Sequence, residues 1–154
     1  MKNDYVKRIN DARVYDVAKK TPLEFQTHLS SRFHNQIFLK REDLQPVFSF
    51  KLRGAYNKMA GLSKAQLDKG VIAASAGNHA QGVALSAQKL GCRAVIVMPT
   101  TTPLIKIDAV KHRGAEVVLW GDSYSDAYKH ALEIEKKESA TGSCFRSATS
   151  RVNA

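Results

Sequence analysis

Lys51 is the residue whose setting most strongly indicates chemistry. It lies in the apolar segment SFKLRGA, residues 49–55, shortly after an extended run at residues 37–40. An amine that is removed from water and placed near other cations has a lowered pKa and becomes a nucleophile. We therefore expect Lys51 to be buried and to form a Schiff base with an aldehyde cofactor. The alternative is an ordinary surface lysine whose stem covers apolar neighbours, and for Lys51 taken alone this is the more frequent case.

A second segment, SAGNHAQG at residues 75–82, reads as a turn between a strand and a helix. Backbone amides at the start of a helix bind anions, so this turn is a candidate carboxylate site. It is not a nucleotide P-loop, because Val83 stands where that motif requires a lysine. The alternative is a structural turn with Asn78 as the helix N-cap, and His79 alone is more often structural than catalytic.

Strands and helices are predicted to alternate between residues 71 and 138. This rhythm indicates an α/β fold with a parallel sheet and flanking helices. Right-handed crossovers place the turns after residues 75, 98 and 120 at one edge of the sheet, where such folds bind ligands. The predicted strands are 71–74, 93–98 and 116–120, and the predicted helices are 78–90, 103–114 and 123–138.

The first seventy residues show a weaker pattern. The predicted elements are a helix over 6–18, a helix from Thr21-Pro22 to Ser30, a strand over 36–41 and a helix over 48–62. Residues 139–154 contain serines, threonines and arginines but no acid and no apolar period. The alternation of strands and helices predicts another strand at this position. The composition of these residues, however, predicts a disordered or non-native tail.

Composition argues against several other functions. The chain of 154 residues has a net charge of +10, but its basic residues are scattered and no nucleic-acid-binding motif is present. We therefore expect a solvated basic surface and no nucleic-acid partner. No apolar run is long enough to cross a membrane and none forms a signal peptide, which predicts a cytoplasmic protein. The histidines and the two cysteines lack metal-ligand spacing, so no metal site is predicted.

Several motifs in order resemble biosynthetic threonine dehydratase (threonine deaminase). The first is LKREDLQPVFSFKLRGAYN at 39–57, and the second is ASAGNHAQGVA at 74–84. A third spans residues 97–106, and GDSY at 121–124 is similar too. The likeness runs from about Val14 to Lys137. It implies a tryptophan-synthase-β-like fold, here incomplete, and the cofactor pyridoxal 5′-phosphate.

The resemblance also implies roles for single residues. Lys51 matches the lysine that forms the Schiff base, Asn78 matches the asparagine that hydrogen-bonds the ring hydroxyl of the cofactor, and Phe50 borders the ring. The loop that holds the substrate carboxylate corresponds to Ser75, Ala76, Gly77, Asn78 and His79. Related serine racemases carry a serine at the place of Ala76, so racemisation is disfavoured here.

The implied activity is the dehydration and deamination of L-threonine to 2-oxobutanoate and ammonia, the first step towards isoleucine, in a family that forms tetramers. We expect residues 1–50 to belong to the large cofactor domain, 51–138 to a small α/β domain and 139–154 to a divergent tail. The family's glycine-rich phosphate loop and regulatory domain have no counterpart in the sequence. The alternative is therefore a catalytically inactive fragment that serves as a non-enzymatic folded module.

Overall fold

The computed structural model of the chain describes residues 4–140 and 146–147. Two sheets are present in this part of the chain. Strands β1 (Leu23–Phe25) and β2 (Phe38–Lys40) form an antiparallel pair. The larger sheet contains β3 (Val71–Ala74), β4 (Ala94–Met98), β5 (Glu116–Leu119) and β6 (Arg146–Ser147). Its order is β5-β4-β3-β6 and all its pairings are parallel.

Seven α-helices are described: α1 (Tyr5–Asn10), α2 (Thr27–Phe33), α3 (Lys51–Ala60), α4 (Lys64–Leu67), α5 (Asn78–Leu90), α6 (Leu104–Lys111) and α7 (Tyr124–Ala140). Short 3-10 helices occur at Val14–Asp16 and Glu42–Leu44.

The two central strands carry the core. Every residue of β3 and β4 is buried, as expected for parallel strands covered on both faces. Side chains alternate between these faces. Ala73 and Ile96 join a cluster with residues of α3, α5 and α6, whereas Ile72 and Val97 pack against α7. The predicted α/β class with a parallel sheet and flanking helices is confirmed.

Element boundaries match the prediction best in this region. Strand β3 and helix α5 begin and end at the predicted residues. Gly91 follows α5 with φ of +65°, a left-handed conformation that glycine adopts without steric cost, and its amide donates to the Ala87 carbonyl. The elements whose bounds were predicted correctly therefore lie in the larger sheet and directly beside it.

The prediction of a helix from Thr21-Pro22 is wrong. Residues Leu23–Phe25 instead form β1, because they pair with β2 in a register that brings Phe25 opposite Phe38. The two aromatic rings lie 5.2 Å apart between centroids, a contact that stabilises a strand pair. A long-range pairing of this kind leaves no local signature in the sequence.

Helix α3 begins at Lys51, three residues later than predicted. Phe48 has φ of +54°, a left-handed conformation that a helix does not contain. The amide of Lys51 donates a hydrogen bond to the hydroxyl oxygen of Ser49 at 3.3 Å, so Ser49 supports the helix start. The left-handed turn therefore sets where the helix begins.

The predicted tail falls largely outside the described residues. Ser139 and Ala140 end helix α7, and Arg146–Ser147 form β6, which pairs with Val71 and Ile72 of β3. A paired strand at 146–147 differs from the disorder that composition predicts. It does, however, occupy the place where the alternation of elements called for another strand.

Helices α3 and α5 approach each other closely at Gly82. A Cβ atom built at Gly82 would lie 3.1 Å from Cα and 3.2 Å from N of Leu52. It would also lie 3.4 Å from the carbonyl carbon of Lys51. Since these neighbours are backbone atoms, a Cβ at this position would require the two helices to shift apart by a few tenths of an ångström, whereas glycine lets them pack without such a shift.

We predict that Gly82→Ala lowers stability relative to Gly54→Ala. A methyl group at Gly82 pushes against the backbone of α3, whereas a Cβ at Gly54 meets nothing within 4 Å. Overpacking of this type costs about 1–3 kcal/mol, while alanine in an open helical position is favoured over glycine by roughly 1 kcal/mol. Urea unfolding of the two variants measures the difference. Equal stabilisation by both substitutions would show that α3 and α5 are not in close contact.

Candidate active site

The carboxyl ends of the three strands β3, β4 and β5 meet at one edge. The amide of Ser75 donates to the Val97 carbonyl at 3.0 Å, and the amide of Trp120 donates to the Met98 carbonyl at 2.9 Å. The predicted convergence of these turns is therefore confirmed. Beside them, the Thr100 hydroxyl donates to the Asp122 carboxylate at 2.8 Å, which ties the turn after β4 to the turn after β5.

The turn at 75–79 leads from β3 into α5. Gly77 is the N-cap and Asn78 the first helical residue, so the alternative in which Asn78 caps the helix is wrong. The Ser75 hydroxyl accepts a hydrogen bond from the Gly77 amide at 3.3 Å. The first bond within the helix runs from the Gln81 amide to the Gly77 carbonyl at 3.4 Å. The amides before Gln81 thus belong to the helix start, where the helix dipole favours an anion.

Lys51 is exposed, which contradicts the expectation of a buried amine. The face that α3 turns towards the core consists of Leu52, Ala55, Tyr56 and Met59. Lys51 precedes this face, at the first position of the helix, and its side chain belongs to the exposed surface. The desolvation from which we expected an activated amine is therefore not provided by this part of the chain.

The fold nevertheless brings Lys51 and the 75–79 turn to neighbouring helix starts. The backbone of Lys51 lies beside Gly82, the fifth residue of α5, as the close approach described above requires. Phe50, directly before Lys51, leaves 61% of its surface exposed. An amine, an aromatic ring and a group of helix-start amides are thus available on adjacent elements. Of the predicted site residues, Asn78 is exposed, and Ser75, Ala76, Gly77 and His79 are half-buried.

A network centred on Glu42 was not foreseen. Its carboxylate accepts hydrogen bonds from the Thr21 hydroxyl at 2.6 Å and from Nε and Nη2 of Arg53 at 2.8 and 3.0 Å. The Gln45 side chain donates to it at 3.1 Å. The pKa of Glu42 is lowered to about 2, chiefly by the hydrogen bonds from Arg53, against the opposing effect of burial. The acidic residues of the first motif were the available signal, but their spacing does not show that Glu42 binds Arg53, 11 positions later, and Thr21, 21 positions earlier.

The comparisons with known proteins agree with this arrangement. The model of a family described as pyridoxal-phosphate dependent enzymes matches residues 14–150. The chain belongs to this family. The match runs past Lys137, where we expected the likeness to end, and past Ser139, where we expected the sequence to depart. It therefore includes the residues of β6.

The most informative relatives are biosynthetic threonine dehydratases. The enzyme from Burkholderia multivorans is 58% identical over 142 residues, which cover 90% of this chain and 28% of the relative. A chloroplastic enzyme from Solanum lycopersicum is 61% identical over 138 residues, which cover 90% of this chain and 23% of the relative. The predicted resemblance is confirmed, and the chain spans about a quarter of the length of these relatives.

Solved structures give the same result. The processed form of threonine deaminase isoform 2 from Solanum lycopersicum matches with a TM-score of 0.86 and 55% identity, over 93% of this chain and 40% of that one. Maize serine racemase matches with a TM-score of 0.81 and 30% identity, over 91% of this chain and 42% of that one. The fold of this pyridoxal-phosphate family member is thus shared with enzymes of two reaction types.

The donor set fits the cofactor that the family description names. A primary amine is the group that reacts with an aldehyde, and Lys51 presents one at a helix start, directly after the exposed Phe50 in the sequence. The side-chain amide of Asn78 is exposed on the neighbouring helix. Between residues 4 and 140, no three histidine, cysteine or acidic side chains are grouped to bind a metal ion, and no helix is long and apolar enough to cross a membrane.

We predict that Glu42→Gln removes a pH-dependent part of the stability. The pKa of Glu42 is 4.5 in the unfolded chain and about 2 in the folded one. Its contribution to the free energy of unfolding is therefore complete above pH 4.5 and is lost as the pH falls towards 2. At pH 7 we expect Glu42→Gln to cost about 1–3 kcal/mol.

Urea unfolding at several pH values measures this effect. The free energy of unfolding of Glu42→Gln is subtracted from that of the unsubstituted chain at each pH. The difference should shrink between pH 4.5 and pH 2. A difference that stays constant over this range would contradict the assignment of the ionised Glu42 carboxylate as the centre of the network.

Proposed function

We propose that this protein takes part in the pyridoxal-phosphate-dependent conversion of L-threonine to 2-oxobutanoate and ammonia. The observation that supports this most directly is the close packing of the helix that begins at Lys51 against the helix that begins at the 75–79 turn. The relatives named threonine dehydratase share more than half of their aligned residues with this chain. The reaction balances, because the water lost from threonine is regained when ammonia is released.

Lys51 is the proposed catalytic residue. Its Nζ would hold the aldehyde carbon of the cofactor and, once released by the amino group of the substrate, accept the proton from the substrate α-carbon. Pyridoxal phosphate, when bound, supplies a ring that withdraws electrons from that carbon. Phe50 would lie against the ring of the cofactor. The side-chain amide of Asn78 would donate a hydrogen bond to the hydroxyl oxygen of that ring.

The 75–79 turn is the proposed site for the substrate carboxylate. The amides at the start of α5 and the hydroxyl of Ser75 offer hydrogen bonds to an anion, and the dipole of this 13-residue helix adds a favourable field. His79 would border this site. Ala76 has no group that exchanges a proton, which supports a dehydratase over a racemase. The proposed substrate class is therefore a small hydroxy amino acid.

The exposure of Lys51 determines what the working site further requires. Water must be kept from the amine during proton transfer, and the described residues do not do this. The cover would be supplied by the cofactor itself, by further polypeptide or by another copy of the chain. The same exposure favours the second candidate, a folded module without catalytic activity. The predicted tetramer and the predicted cytoplasmic location remain predictions.

We expect Lys51 to be labelled when the chain is incubated with pyridoxal phosphate and reduced with borohydride. Reduction fixes the cofactor to the amine that holds it, and peptide mapping identifies the residue. Lys51→Ala should lose this label and any formation of 2-oxobutanoate. Lys69→Ala is the matched control, because Lys69 is an exposed lysine just before β3, at the opposite edge of the sheet.

Two outcomes of this experiment decide between the candidates. Labelling of Lys51 no greater than that of Lys69 would contradict the cofactor site. Selective labelling of Lys51 without formation of 2-oxobutanoate from threonine would favour the non-catalytic module.

A further inference from the structure

We propose that Glu42 is a positioning residue for Lys51. It acts through Arg53 and through the turn at residues 45–49. This inference rests on the proposed function of Lys51 and adds a residue that contacts neither cofactor nor substrate in that proposal. It assigns a role to the Glu42 network described above.

The first step is the position of Arg53. It is the third residue of α3, two positions after Lys51, and both Nε and Nη2 of its guanidinium donate to the Glu42 carboxylate. A paired arrangement of two donors on one carboxylate fixes orientation as well as distance. Glu42 therefore holds the first turn of α3 in one orientation about the helix axis. The backbone of Lys51 is held in the same orientation, because it belongs to that turn.

The second step is that Glu42 is itself held by other segments. The Thr21 hydroxyl donates to it, and Gln45, which is 1% exposed, forms two hydrogen bonds at 2.8 Å with the backbone of Lys19. Nη2 of Arg53 donates to the same Lys19 carbonyl at 3.2 Å. Thr21, Gln45 and Arg53 thus meet at one carboxylate, so that its removal loosens all three contacts together.

The third step concerns the turn between this network and Lys51. Phe48 has φ of +54° and is 75% exposed, so its left-handed backbone is held by its neighbours rather than by packing of its ring. A non-glycine residue in this region costs roughly 1–3 kcal/mol. The turn is anchored on one side by Gln45, whose carbonyl accepts from the Phe48 amide at 2.8 Å. Arg113 adds a second anchor by donating to the Pro46 carbonyl at 2.9 Å.

The fourth step separates positioning from ordinary stabilisation. Within the described part of the chain, the Glu42–Arg53 ion pair is the one in which both side chains are less than 30% exposed, with values of 15% and 25%. The pair of Arg93 and Glu116 also contains an arginine and a glutamate, but its side chains are 49% and 54% exposed and it joins β5 to the segment before β4. Glu116 thus provides a control remote from Lys51.

The test compares Glu42→Gln with Glu116→Gln in the full chain. Hydrogen–deuterium exchange of the peptide covering residues 46–53 reports the setting of the turn without any cofactor. We expect exchange there to accelerate about tenfold more in Glu42→Gln than it does in β3 and β4, because the network restrains this turn against local opening, whereas any acceleration in the two strands reports the loss of global stability. Glu116→Gln should leave residues 46–53 unchanged.

A second readout is the rate at which pyridoxal phosphate and borohydride label Lys51, measured where urea unfolding shows each variant to be folded. We expect this rate to fall several-fold in Glu42→Gln and to stay unchanged in Glu116→Gln. Should Glu42→Gln fail to fold, Arg53→Lys keeps the positive charge but loses the paired geometry, and it should show the same local change.

The outcomes distinguish this proposal from the proposed function. Unchanged exchange at residues 46–53 in Glu42→Gln, or an equal increase across β3 and β4, would overturn the positioning role even if Lys51 is labelled normally. Absence of label on Lys51 in the unsubstituted chain would instead contradict the proposed function. In that case the exchange result alone would still decide whether Glu42 holds the turn.

Discussion

The contact between Gly82 and the backbone of Lys51 and Leu52 is the constraint on which the candidate site depends. It sets the distance between two helices at whose starts, or directly before them, the proposed site residues lie. Strand β3 fixes where α5 begins, and the core beneath α3 fixes the direction of that helix. The relative position of the site residues thus follows from the packing of two helices on a parallel sheet, and it is defined as closely as that packing is.

Much of the sheet region was predictable from local sequence. The apolar run VIAA is too short for a helix and lies between turn residues, so it predicts a buried strand, and β3 has these bounds. Gly91 marks the end of α5 in the same way. Turns that follow parallel strands must meet at one edge, and the hydrogen bonds of Ser75 and Trp120 confirm this. These features depend on a few neighbouring residues and on general rules of topology.

The features that were missed depend on contacts between distant segments. Strand β1 exists because β2 pairs with it, and the proline at position 22 indicated a helix start instead. The Glu42 network joins residues that lie between 3 and 21 positions away from it in the sequence. The burial expected for Lys51 failed for a related reason, because apolar neighbours along the chain do not determine which surface of a helix is covered. Local composition carries no information about such partners.

The stacking of Trp120 on His130 has a practical consequence. Trp120 is the single tryptophan of the chain and follows β5 at the edge where the strands end, with its ring 4.0 Å from the imidazole and tilted by 12°. Its fluorescence therefore arises from one known place in the fold, without contribution from a second indole. Since pyridoxal compounds absorb light in the range where tryptophan emits, arrival of a coenzyme at this edge would quench that emission. The protein thus carries an intrinsic optical reporter at the same edge of the sheet as the 75–79 turn.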